Sequence, residues 1–307
     1  FADQVSTVAL LFIMFYGGFG TNWRAARPAA APAILLSSLG TVLTAALTGL
    51  FCHFVVGMPL LEGLLCGAVL GSTDAASVFA ILRARKLALK ENTDSLLEVE
   101  SGSNDPFAYM LTAVLLTAME SGITPGAVAR LLGAQLVFGL AFGFGVGWAA
   151  LWLLRRLRLD GSGFETIFVV ATALFSYAAP AMLGGNGFLS VYITGILLGN
   201  GRLRSTATLV SFFDGVTGIM QMVLFFLLGL LAFPSQMPAV VLPAVGIMLF
   251  LTFAARPAAV FLLLAPFRGS RRQKLLVSFA GLRGAASIVF AVMTVISPVS
   301  TDHDLFH

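Results

Sequence analysis

Ten apolar segments fill almost the whole of this chain, and that pattern makes lipid the solvent in which it must fold. They run over roughly 2–19, 28–56, 60–82, 95–119, 125–154, 164–182, 187–199, 207–232, 238–264 and 272–298. A helix needs about 20 apolar residues to cross the hydrocarbon core of a bilayer. Segment 187–199 is short and reads as a tilted span or a partly re-entrant helix. Of the 307 residues, 58% are hydrophobic and 10% charged, whereas a soluble domain is about a quarter charged. The mean hydropathy is +0.96. No long polar linker interrupts the pattern, so the expected organisation is one all-α, polytopic transmembrane domain over residues 1–307. The first segment starts at once and the chain stops just after a span, so helices are expected to be missing at both ends.

The basic residues order these segments. Arg24 and Arg27 follow the first, and Arg83, Arg85, Lys86 and Lys90 the third. Arg155, Arg156 and Arg158 follow the fifth, Arg202 and Arg204 the seventh, and Arg268, Arg271, Arg272 and Lys274 the ninth. Fifteen of the 18 Lys and Arg residues therefore fall in alternate connections, and 57–59, 120–124, 183–186 and 233–237 hold none. This is the positive-inside pattern, with both ends of the chain on the outer side. The pI of about 9.4 is thus a matter of topology and does not imply nucleic acid. Three arginines depart from the pattern. Arg130 lies near an outer end and can snorkel, while Arg256 and Arg283 lie inside spans, where a charge needs a partner or a function. Cys52 and Cys66 imply neither a disulfide framework nor a metal site, and His53, His303 and His307 have no ligand spacing.

Three segments carry candidate chemistry. In the third, Asp74 stands about 18 Å from the inner end, near the bilayer midplane. Gly71, Ser72 and Thr73 precede it, and a glycine followed by small polar residues at that depth points to a broken helix whose freed carbonyls face a cavity. An ordinary helix with a small-residue packing face is the plainer alternative. In the fourth, Ser101 and Asp105 are four residues apart and share a face, and Glu100 and Asn104 do the same on the next face. Pro106 removes a backbone hydrogen bond beside them. A carboxylate flanked by Ser and Asn offers hard oxygens to an alkali cation. It can hold a cation or a proton, but hardly both. In the tenth, Gly281 and Gly284 bracket Arg283. Two interrupted spans far apart in sequence point to an inverted-repeat transporter site. Arg283 needs an anion; Glu100 is the expected partner, and Asp74 or free carbonyls are the alternatives.

Other features are weaker. Residues 184–187, GGNG, read as a turn. Glycines 139, 143, 145 and 147 read as close helix packing, and Asp214 as a helix-start residue. An intramembrane aspartyl protease built on Asp74 and Asp105 would leave Arg283 unexplained, and a cation channel would need no coupling to protons.

The stretches GSTDAASVF (71–79), ESGSNDP (100–106) and GLRGAAS (281–287), in that order, resemble the bacterial monovalent cation:proton antiporters. The resemblance is greatest to potassium/proton antiporters of the cell-volume-regulation type. GNGFLSVYITGILLGN (185–200), FFLLGLLAFPS (225–235) and ARPAAVF (255–261) extend it along the chain. It implies a sodium/proton-antiporter-like fold with two crossing broken helices, of which this chain would lack two N-terminal helices and the last. It implies a homodimer in the bacterial inner membrane, no cofactor, no enzymatic activity, and K+ or Na+ and H+ as substrates. Asp105 would be the cation/proton carrier, Thr73, Ser101 and Asn104 would complete the substrate site, and Asp74 would support the helix crossing. The alkali cation would lie at Asp105, Ser101 and Thr73, with Glu100 and Arg283 as a structural ion pair. One titrating carboxylate implies electroneutral, one-for-one exchange by a rocking motion, with Na+(Li+)/H+ exchange as the alternative. Tyr16 stands before Gly17 and Gly18 where relatives often carry an acid.

Overall fold

The structure, a computed structural model, describes residues 1–74, 78, 89–122, 124–156, 162–201, 203, 205–232, 235 and 237–297. Among them every regular element is helical. Lipid imposes this, because a helix satisfies its backbone hydrogen bonds within one segment. α1 is Ala2–Gly20, and α2 is Trp23–Val56 with π turns at Leu36–Gly40 and Cys52–Val56. α3 is Leu60–Val69, α4 Thr93–Ser121, α5 Pro125–Arg156 and α6 Ser162–Ala181. α7 is Gly187–Gly199 and α8 Thr206–Leu231. α9 joins Met237–Phe250, a π turn at Leu251–Ala255, and Arg256–Leu263. α10 is Arg271–Phe279 and α11 Ala285–Ile296.

Each of the ten apolar segments holds a helix. Six of the described helical stretches are long and apolar enough to cross a membrane alone, and α3, α7 and α11 are shorter apolar helices. Ten is therefore an approximate number of crossings. The third and tenth segments are interrupted where their glycines fall, after α3 and between α10 and α11. Arg83, Arg85, Lys86, Arg158, Arg202, Arg204, His303 and His307 lie outside the described residues.

The chain divides into two compact units. One comprises Phe1–Ala25 and Thr124–Phe226, and in it α7 packs between α1 and α5. A Cβ at Gly18 would strike the Tyr192 carbonyl oxygen, one at Gly195 that of Phe15, and one at Gly199 that of Phe19. Gly139, Gly143 and Gly147 bring α5 close to Asn186, Ser190 and Leu197, where a Cβ would lie 3.0, 3.0 and 2.7 Å from the nearest atom of each. Lipid supplies no hydrophobic drive between helices, so close backbone approach does the holding. Gly145 departs from the expected packing set, since a Cβ there would meet nothing within 4 Å. The GGNG stretch is a turn, with Gly184 at φ +75°, and Asn186 Oδ1 caps α7 by accepting from the Leu189 N–H at 3.0 Å.

The second unit comprises Ala26–Ile123 and Leu227–His307. A buried cluster including Ala33, Leu36, Leu97, Val260 and Val277 ties α2, α4, α9 and α10 together. α4 continues through Pro106 without a break. Cys52 and Cys66 are buried and free.

Candidate functional site

The site is built where two interrupted helices cross within the second unit. α3 ends at Val69 and residues 71–74 leave the helix; α10 ends at Phe279 and residues 281–284 are likewise non-helical before α11. Broken helix ends expose backbone groups that must be paired when buried, and the two stretches pair each other's. The Asp74 N–H donates to the Leu282 carbonyl at 2.7 Å, and Arg283 Nη1 donates to the Ser72 carbonyl at 2.8 Å. The glycines permit the approach. A Cβ at Gly281 would lie 2.9 Å from Arg256 Nε, and one at Gly284 would lie 2.5 Å from Asp74 Cβ. Gly284→Ala is therefore expected to destabilise the protein by about 1–3 kcal/mol through overpacking. Its thermal transition in detergent would fall. Gly133→Ala, whose Cβ meets nothing within 4 Å, would leave that transition in place.

The polar side chains of residues 72 and 73, outside the helix, reach different partners on α4. Ser72 Oγ donates to Asp105 Oδ1. Thr73 Oγ1 accepts from Asn104 Nδ2 and donates to Glu100 Oε1 at 3.3 Å. Asn104 Nδ2 also lies 3.3 Å from Glu100 Oε1, and Ser101 Oγ donates to the Thr73 carbonyl at 3.0 Å. Arg256 Nη2 donates to the same Glu100 Oε1 at 2.9 Å, and the side chains of this ion pair are only 2% and 1% exposed. Ser72, Thr73, Glu100, Asn104 and Asp105 are all buried. Asn104 Oδ1 and Arg256 Nε are buried without hydrogen-bond partners among the described residues.

The structure thus brings together Thr73, Asp74, Glu100, Ser101, Asn104 and Asp105. It corrects the ion pair: Arg256, and not Arg283, holds Glu100. The π turn Leu251–Ala255 immediately before Arg256 adds a residue to one helical turn and so rotates the following face by about 100°. Arg283 sits on the non-helical stretch between α10 and α11, where it meets the Ser72 carbonyl that the helix break leaves without a helical partner. Sequence reasoning flagged Arg256 by its depth alone. It places Ser72 only in the small polar run before Asp74, and nothing in that run separates Ser72 from Thr73. Asp214 is also corrected. It lies two turns inside α8, not at its start. Its Oδ1 accepts from the Tyr16 hydroxyl at 3.1 Å. Among the described residues no group of three or more His, Cys, Asp or Glu residues is arranged to hold a metal ion.

A multi-pass helical protein with a buried carboxylate at the crossing of two broken helices defines a class of ion-coupled transporter. The chain belongs to the family described as "Sodium/hydrogen exchanger, transmembrane", whose profile matches residues 2–304. It is 40% identical over its whole length to the K(+)/H(+) antiporter NhaP of Alkalimonas amylolytica, covering 53% of that protein. It is 38% identical over 295 residues to the K(+)/H(+) antiporter NhaP2 of Shewanella sp. (strain ANA-3), covering 95% of this chain and 51% of the other. A more distant relative, the Na(+)/H(+) antiporter NhaS2 of Synechocystis sp., is 26% identical over 81% of this chain and 47% of its own. The chain thus spans about half the length of these relatives. Its fold matches the sodium proton antiporter MjNhaP1 of Methanocaldococcus jannaschii, with a TM-score of 0.85 at 22% identity, over 96% of this chain and 75% of that one.

Proposed function

We propose that the protein exchanges K+ for H+ across the bacterial inner membrane, one for one, with Asp105 carrying each in turn. The observation that carries this reading is the buried Asp105 carboxylate, with the Ser72 hydroxyl on one oxygen, beside the Asn104 amide oxygen that no described residue satisfies. A desolvated carboxylate needs a proton or a counter-cation, and hard oxygens suit an alkali cation. Deprotonated Asp105 takes the cation with oxygens of Ser101, Asn104 and Thr73; protonated Asp105 releases it. Asp74 supports the crossing and stays outside the exchange, so only one group titrates and no net charge moves. The Arg256–Glu100 pair neutralises Glu100 and leaves Asp105 as the exchanging acid. The proteins named K(+)/H(+) antiporters at about 40% identity favour K+. The name of the more distant relative keeps Na+ as the second reading.

The test is exchange in liposomes. The intact protein is reconstituted with a pH-sensitive dye inside, the membrane potential is clamped, and K+ or Na+ is added outside. Proton efflux that K+ drives well and Na+ poorly is the expected result. Efflux driven by Na+ would overturn the choice of cation and keep the antiport. Cation flux with no proton movement would replace antiport by a channel.

A further inference from the structure

We propose that the groove between α5 and α6 holds an acyl chain of an anionic phospholipid from the cytoplasmic leaflet, with the headgroup phosphate on Arg156. The open groove offers about 660 Å3 between Ala141, Gly145, Ala149 and Leu153 of α5 and Phe168 and Phe175 of α6. It exists because Gly145 and two alanines recede on the face of α5 opposite the glycines that pack on α7. A Cβ at Gly145 meets nothing within 4 Å. From Ala141 to Leu153 the groove runs about 18 Å along the helix, close to the ~15 Å depth of one leaflet. It therefore fits one acyl chain lying along the membrane normal.

Charge selects the occupant. The last lining residue on α5, Leu153, lies about one turn short of the end of that helix, and that end carries Arg155 and Arg156 and lies on the cytoplasmic side by the distribution of basic residues. The Arg156 guanidinium is 5.1 Å from the centre of the Trp152 ring, and both side chains are exposed. Stacking on the indole steadies the planar donor fork at headgroup level, where Trp is itself favoured. Arg155 is engaged elsewhere, its Nη2 donating to the Gly201 carbonyl at 3.1 Å. α5 contains no acidic residue, and Glu165 on α6 is buried. An apolar groove ending in a basic headgroup site on the cytoplasmic side is the chemistry that recognises an anionic lipid. A zwitterionic lipid offers the same chain with no net charge for Arg156.

Native mass spectrometry of the intact protein in a non-ionic detergent tests this. The protein is titrated with phosphatidylglycerol or phosphatidylcholine of identical acyl chains. Phosphatidylglycerol is expected to be retained about fivefold better, the effect of one basic side chain beside an anionic lipid. Arg156→Gln should abolish that preference. Gly145→Leu, which fills open space in the groove, should lower retention of both lipids while the thermal transition stays in place. Equal retention of the two lipids by the unmodified protein overturns the proposal, as does unchanged retention in Arg156→Gln. If Gly145→Leu instead splits a dimer and leaves lipid retention unchanged, the groove is an interface between copies and the lipid assignment falls.

Discussion

Replacing Asp105 by Asn is expected to abolish cation-dependent proton movement completely while leaving the protein folded and inserted. The amide matches the carboxyl in shape, and its oxygen can still accept from the Ser72 hydroxyl, so the packing around α4 has no reason to change. Titration is lost, because an amide neither binds nor releases a proton at any working pH. The measurement is proton efflux from liposomes with K+ or Na+ outside, beside a thermal transition and a size-exclusion profile in detergent. Exchange retained by a folded Asp105→Asn protein would remove Asp105 from the carrier role. Stoichiometry has its own check with the unmodified protein. One carboxylate trading one proton for one cation moves no net charge, so an imposed potential should leave the rate unchanged. Each net charge carried across would instead couple about 2.3 kcal/mol per 100 mV to the cycle.

The second large effect concerns Arg256. Removing one member of a buried pair strands the other charge away from water, at a cost of about 3–5 kcal/mol, whereas replacing both by apolar residues is often close to neutral. Arg256→Met and Glu100→Leu are each expected to lower the thermal transition sharply, and the double substitution to recover most of that loss. Arg256→Lys should recover little, since a lysine keeps the charge but not the guanidinium geometry that reaches Glu100 Oε1 at 2.9 Å. Arg283→Met should cost less than Arg256→Met, because Arg283 donates to a single backbone carbonyl. A larger loss at Arg283, or no recovery in the double variant, would contradict the pairing. The Glu100 carboxylate also accepts from Thr73 and Asn104, so breaking the pair should disturb the neighbouring exchange site as well as the fold.

Much of this was legible beforehand, for identifiable reasons. The segments were legible because lipid tolerates so few charges. The helix breaks were legible because glycines beside polar residues at mid-depth serve little else, and the structure interrupts both spans at those positions. Asp105, Asn104, Glu100 and Ser101 came from helical spacing, which α4 keeps even through Pro106. The failures lie where periodicity stops being a guide. A π turn shifts the face of α9 by one residue, so Arg256 turned toward Glu100 unannounced. Where the helix ends the 3.6-residue period no longer applies, and the adjacent Ser72 and Thr73 go to different partners on α4. Gly145 looks in sequence like Gly139, Gly143 and Gly147, yet it lies on the open face of α5. The hydrogen bond between Tyr16 and Asp214 joins residues 198 positions apart, and no local pattern encodes it.

By itself the sequence determined the solvent, the helical class, the interrupted spans and the acid at their centre. Each follows from desolvation costs and periodicities that act along the chain. Only the tertiary structure decided which arginine neutralises Glu100, which hydroxyl reaches Asp105, and how the two broken stretches satisfy each other's backbone. Those are choices among chemically equivalent partners brought from distant segments. Distance and direction in three dimensions select among them, and spacing in one dimension carries neither.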